Sequence, residues 1–178
     1  MSRVLAIDTS TARTSVAVIE GDTVVFSGYK DGATAHGPSL PALVQEALAV
    51  SDVDEVVVGM GPGPFTGLRV GIAFAQSFGL ARNIPVRGVC SLDAIAAQVI
   101  ESDFIVSVDA RRKEVYWARY TNGKRVSEPA VNFPADVTGA PVHANLFPDM
   151  AALVKLTGNI TKPMYLRRPD AVATVDRP

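Results

Sequence analysis

Val4-Leu5-Ala6-Ile7-Asp8 and Ile105-Val106-Ser107-Val108-Asp109 are two apolar runs that each end on an aspartate, 101 positions apart in the chain. The same offset lays Ser15-Val16-Ala17 over Tyr116-Trp117-Ala118 and the turn Gly21-Asp22 over Asn122-Gly123. Each copy reads as a strand ending in Asp, a polar turn, a second strand, a tight two-residue turn and a third strand. Two aspartates and two turns in register favour a duplicated unit over two unrelated hairpins that happen to alternate.

The first copy continues into alternating helix and strand. Leu40, Leu43, Val44, Ala47 and Leu48 fall at helical spacing and predict an amphipathic helix to about residue 50. Val56-Val57-Val58 reads as a buried strand, followed by a loop over 61–67, a helix over 68–82, a strand over 85–91 and a helix over 92–100. The predicted order is βββαβαβα, an α/β arrangement. After Asn132 the second copy has only a Pro- and Gly-rich loop, a short helix over 148–156 and an extended segment over 163–168, so it reads as a stripped version of the first.

Composition narrows the function classes. A chain of 178 residues that is 48% hydrophobic and 20% charged can bury a core and is too apolar to be disordered. Seventeen basic against eighteen acidic residues leave a net charge of −1, so no overall field draws it to nucleic acid, and a partner is expected to supply most of that grip. The single cysteine, Cys90, and two distant histidines, His36 and His143, form no metal-ligand cluster, and no zinc or other resident metal is expected. No apolar run approaches the ~20 residues that span a bilayer, so a cytoplasmic protein without membrane contact is expected.

Four features carry candidate chemistry or contacts. The stretch Gly61-Pro62-Gly63-Pro64-Phe65-Thr66-Gly67-Leu68-Arg69 joins a strand to a helix, where backbone amides often hold phosphate. Its spacing is GxGxxxG, no Lys follows Gly67, and two prolines remove donors, so a structural turn with Thr66 as helix cap is favoured over a nucleotide loop. The next helix is apolar nearly all round. Leu68, Gly71, Ile72, Phe74, Ala75, Phe78 and Gly79 on it, with Leu40, Leu43, Val44 and Ala47 on the preceding helix, are a candidate subunit interface, the stripe Gly71-Ala75-Gly79 allowing close backbone approach. Packing of the two helices within the monomer is the alternative. Finally, Asp8-Thr9-Ser10-Thr11 and Asp109 resemble the paired acidic hairpins of a Mg-nucleotide site, or else ordinary turn chemistry. Arg111-Arg112-Lys113 is a solvated turn or an anion or tRNA contact.

The motifs Val4 to Thr11 (VLAIDTST), Gly61 to Gly71 (GPGPFTGLRVG), Ser107 to Trp117 (SVDARRKEVYW) and Pro163 to Arg168 (PMYLRR) together resemble the bacterial TsaB (YeaZ) family. That resemblance spans nearly the whole chain. It implies an actin-like ATPase (ASKHA) fold of two RNase H-like lobes with mixed sheets and flanking helices, residues 1–102 and a shortened 103–178. It also implies a noncatalytic dimerisation subunit for synthesis of N6-threonylcarbamoyladenosine beside the tRNA anticodon. The implied partners are the catalytic paralogue TsaD, the ATPase TsaE and a second copy of the chain, with tRNA reached through the complex. No intrinsic cofactor is implied, ATP or ADP being expected only at the TsaB-TsaD-TsaE assembly. TsaD-type proteins hold a metal with an HxxxH pair, whereas the matching stretch here has only His36, so neither metal catalysis nor proteolysis is expected. The alternative from the residues alone is an actin-like phosphotransferase or ATPase using Asp8 and Asp109.

Overall fold

A computed structural model describes residues 2–167; Arg168, the last residue of the PMYLRR motif, lies outside them. The first sheet is built from β1 (Arg3–Asp8), β2 (Arg13–Glu20), β3 (Thr23–Asp31), β4 (Glu55–Gly59) and β5 (Val86–Val89), in the order β3-β2-β1-β4-β5. β1 runs antiparallel to β2 and parallel to β4, and β4 runs parallel to β5. Alternation along β1 separates two cores. Leu5 and Ile7 pack with α1 (His36–Val50) and α2 (Phe65–Arg82), while Val4 and Ala6 pack on the opposite face with Ala94 and Leu153. A strand covered on both faces must be apolar at nearly every position, which is why β1 and β4 read as continuous runs.

The second sheet contains β6 (Asp103–Asp109), β7 (Val115–Thr121), β8 (Lys124–Arg125), β9 (Ala130–Asn132) and β10 (Val142–Ala144), with β6 between β7 and β10. β10 lies parallel to β6 as β4 lies parallel to β1, so the repeat keeps its parallel neighbour. Between β9 and β10, where the first copy has the fifteen-residue α1, there is a single 3-10 turn, Pro134–Asp136. The two copies are not in uniform register. Asp8 pairs with Ser15 but Asp109 pairs with Val115, so the second hairpin turn is one residue shorter and Tyr116, laid over Ser15 by the sequence offset, corresponds to Val16. A one-residue slip exchanges the faces of a strand, and Tyr116 is accordingly a core residue.

The helices tie the sheets together. The six-residue α3 (Ser91–Ala96), shorter than the periodicity predicts, puts Leu92, Ile95 and Ala96 against the second sheet and Ala94 against the first. The last helix, α4 (Met150–Lys155), capped by Asp149 accepting from the Ala152 amide at 2.7 Å, returns to the first sheet with the fully buried Leu153. A division at residue 102 thus separates strands but not helices.

α2 departs from expectation in two ways. It begins at Phe65 with Pro64 as N-cap and no side-chain cap hydrogen bond there, so Thr66 is inside the helix rather than capping it. The small-residue stripe faces its own sheet: a Cβ at Gly71 would stand 2.3 Å from Thr9 Oγ1 and one at Gly79 2.2 Å from Val86 Cγ2, and Ala75 is completely buried. Leu40, Leu43, Val44, Ala47, Leu68 and Ile72 lie in the same core, each large side chain contributing about 1.5–3 kcal/mol by burial. The stripe and these core positions are consumed inside the monomer and do not form an outward interface. Gly79→Ala is expected to cost about 1–3 kcal/mol by overpacking, whereas Gly37→Ala, a helical site with nothing within 4 Å, should be neutral or slightly stabilising. Thermal melts of the two variants check this, and equal melting temperatures would contradict the packing.

Candidate functional site

β1 delivers Asp8 to the end of the sheet, and the chain then turns through Thr9-Ser10-Thr11 into β2. Asp8 is 1% exposed, and both carboxylate oxygens are engaged. Oδ1 accepts from the Ser10 amide at 2.9 Å and the Ser10 hydroxyl at 2.7 Å, and Oδ2 accepts from Ser91 Oγ at 2.6 Å. Ser91 Oγ in turn accepts from the Gly61 amide at 3.3 Å. Thr9 Oγ1 donates to the Gly67 carbonyl at 2.7 Å and accepts from the Gly71 amide at 3.2 Å.

Glycines make this closure sterically feasible. A Cβ at Gly59 would fall 1.9 Å from Asp8 Oδ2, one at Gly63 would fall 2.5 Å from the Ser10 carbonyl oxygen, and one at Gly67 would fall 2.8 Å from that of Thr9. The stretch 61–67 therefore lies directly on the β1–β2 turn, against the backbone of Thr9 and Ser10. Gly61 and Gly63 are buried there, while Phe65 and Arg69 are exposed, the Arg69 guanidinium carbon 5.2 Å from the Phe65 ring centroid and the Tyr165 ring centroid 4.8 Å from it. Asp109 sits in the opposite condition, with a side chain 70% exposed that accepts from the Arg111 amide at 3.1 Å. The two aspartates of the repeat thus have different environments, one sealed and one open.

Next to the sealed turn is a cavity of about 400 Å³ lined by Thr11, Thr34, His36, Thr66 and Arg111, among others. Arg111 reaches it from the β6–β7 turn, where Arg111, Arg112 and Lys113 have φ of 65°, 53° and 65°. Three consecutive side-chain-bearing residues in the left-handed region cost about 1–2 kcal/mol each. The turn is closed by the Ala110 amide donating to the Glu114 carbonyl at 2.9 Å. The sequence pointed to the basic run but carried no sign of its backbone. It also gave no sign of Ser91, which lies 83 residues from its Asp8 partner.

His36, in the first turn of α1, is buried, with Nδ1 2.8 Å from Thr14 Oγ1. Burial holds its pKa below the ordinary 6.5, opposed by the nearby Asp8 carboxylate and the Thr11 carbonyl. Burial likewise raises the pKa of Asp8, opposed by the hydrogen bonds from Ser91 and Ser10. A histidine with a lowered folded pKa contributes its full stability above its unfolded value and loses it as pH falls through the folded value. Asp8 acts with the opposite sign, favouring the folded state as pH falls from its raised folded value towards 3.8. His36→Gln removes only the first effect, so its stability relative to the parent should rise between pH 7 and pH 5. Denaturant melts across that range measure the difference, and a pH-independent difference would contradict a buried neutral imidazole.

A family model described as TsaD, tRNA N6-adenosine threonylcarbamoyltransferase, matches residues 31–171. An uncharacterized protein of Mycobacterium tuberculosis is 46% identical, covering 96% of this chain and 94% of that protein. The tRNA threonylcarbamoyladenosine biosynthesis proteins TsaB of Escherichia coli and Bacillus subtilis are 35% and 34% identical over 66% and 67% of this chain, which spans 54% and 56% of their lengths. Among solved structures, YeaZ from Pseudomonas aeruginosa superposes with a TM-score of 0.74 at 27% identity, covering 87% of this chain and 90% of that one. Ethanolamine utilization protein EutJ from Carboxydothermus hydrogenoformans shares the fold alone, with a TM-score of 0.52 at 14% identity over 74% of this chain and 52% of that one. By sequence and by fold together, the chain belongs to the TsaB/YeaZ family of the actin-like ATPase superfamily.

Proposed function

We propose that the chain is a noncatalytic subunit in the synthesis of N6-threonylcarbamoyladenosine on tRNA, and that it pairs with a TsaD-type catalytic subunit through the outer faces of α1 and α2. The observation that carries this reading is the closure around Asp8. The backbone of residues 61–71 lies against Thr9 and Ser10, and both Asp8 oxygens are used internally. A carboxylate so enclosed cannot hold a metal ion without dismantling that packing.

The outward side of α2 supports the second half of the proposal. Ala73 is exposed, Leu80 is 85% exposed, and Val70, Phe74 and Phe78 are only partly covered, the two phenylalanine rings stacked with centroids 6.0 Å apart. On α1, Pro41, Ala42 and Ala49 are exposed as well. Such a face fits a standard interface of roughly 1,600 Å². In this reading the same face closes a homodimer when TsaD is absent, and TsaE with ATP or ADP joins only the assembled cytoplasmic complex.

Ala73→Arg is the informative probe, because Ala73 is exposed while Ala75 is buried in the core and its replacement would test folding instead. Ala73→Arg should leave the melting temperature unchanged and weaken pairing with purified TsaD by at least tenfold, read by size-exclusion chromatography with light scattering. Normal complex formation by a folded Ala73→Arg variant would rule out this face. Calorimetric titration of the isolated chain with Mg-ATP tests the noncatalytic role: no micromolar binding is expected, and such binding, lost in Asp8→Ala, would overturn it.

A further inference from the structure

Among the described residues, left-handed backbone is otherwise reserved for glycine or asparagine: Asn83, Asn122 and Asn145 are the other non-glycine cases. Residues 111–113 break that habit three times in succession, with two arginines and a lysine. Glycine would satisfy this backbone with less strain, so the side chains themselves are the feature to be explained. All three are exposed at the tip of the β6–β7 hairpin. Of the acidic groups beside them, Glu114 is paired with Arg167, and Asp109 lies 3.9 Å from the Arg111 guanidinium. Arg111 also forms one wall of the cavity with the hydroxyl-bearing Thr11, Thr34 and Thr66. The tip places three cationic residues in succession on a chain whose net charge is −1, next to neutral hydrogen-bonding groups.

We infer that the left-handed turn Arg111-Arg112-Lys113 is a direct contact for the phosphate backbone of tRNA, Arg111 holding one phosphate at the mouth of the cavity and Arg112 and Lys113 neutralising its neighbours. This rests on the reading that the chain serves tRNA modification, and adds to it a surface on this subunit that touches the RNA. Contacts of this type position a nucleic acid without reading its sequence. With so few cations the contact is an auxiliary one, strengthening a grip that the catalytic subunit supplies.

The test uses the double variant Arg112→Gly/Lys113→Gly beside the charge-preserving Arg112→Lys/Lys113→Arg. Binding of a fluorescent, unmodified tRNA transcript is followed by anisotropy over a salt series, with the chain alone and with TsaD present. The glycine variant should bind roughly tenfold more weakly, with the salt slope reduced by about 2, while its melting temperature is unchanged or raised and its pairing with TsaD is intact. The charge-preserving variant should behave like the parent. Equal affinity and slope for the glycine variant and the parent would overturn the inference, as would absence of salt-dependent tRNA binding by the parent in both settings. Loss of TsaD pairing by the parent, with the charge dependence of tRNA binding still present, would instead sink the pairing proposal and leave this one standing.

Discussion

The approach of the 61–71 loop and first turns of α2 to the β1–β2 turn, made possible by glycine at 63, 67 and 71, is the constraint on which the rest of the molecule depends. With no Cβ in the way, Thr9 can bond both the Gly67 carbonyl and the Gly71 amide, and the helix lies flat on the sheet. The same contact seals Asp8. A buried carboxylate is costly unless hydrogen-bonded, and three donors from Ser10 and Ser91 meet that requirement without a metal or a ligand. Because Ser91 opens α3, the network also anchors the helix that separates the two sheets.

Surfaces follow from this arrangement. α2 turns Gly71, Ala75 and Gly79 to the sheet together with the buried Leu68 and Ile72, and Phe74 and Phe78 are left partly covered. On the other side of the first sheet, α4 and α3 close the second face, and Arg87 stitches the end of α4 to β5 by donating to the Val154 carbonyl at 3.0 Å. The fold thereby leaves two distinctive regions facing solvent, the α1–α2 side and the basic β6–β7 tip. The α1–α2 side carries the exposed Ala73 and Leu80, and the β6–β7 tip reaches the cavity beside the sealed β1–β2 turn through Arg111.

Much of the architecture was legible in the chain. The runs at 4–8 and 105–109, the helical spacing from Leu40 to Ala47 and the two-residue turns at 21–22 and 122–123 are local signals, and each became the expected element or turn. The stripe Gly71-Ala75-Gly79 was legible as a close-packing surface, but which backbone it approaches was not, since spacing along a helix identifies a face and not its neighbour. The slip at Tyr116 escaped for a related reason: a turn one residue shorter barely alters a sequence comparison, yet it reverses which side of a strand points inward. Thr66 looked like a cap because a threonine before an apolar helix often is one, whereas here Pro64 starts the helix earlier.

By itself the sequence determined the order of strands and helices, the duplicated hairpin and the family to which the chain is related, because these depend on periodicity and on residues adjacent in the chain. Only the tertiary structure decided that Asp8 is sealed while Asp109 is open, that the small-residue stripe is spent on the chain's own sheet, and that three successive cations adopt a left-handed turn. Those outcomes rest on contacts between residues tens of positions apart, such as Asp8 with Ser91 and Thr9 with Gly71, and on backbone angles that local composition does not dictate.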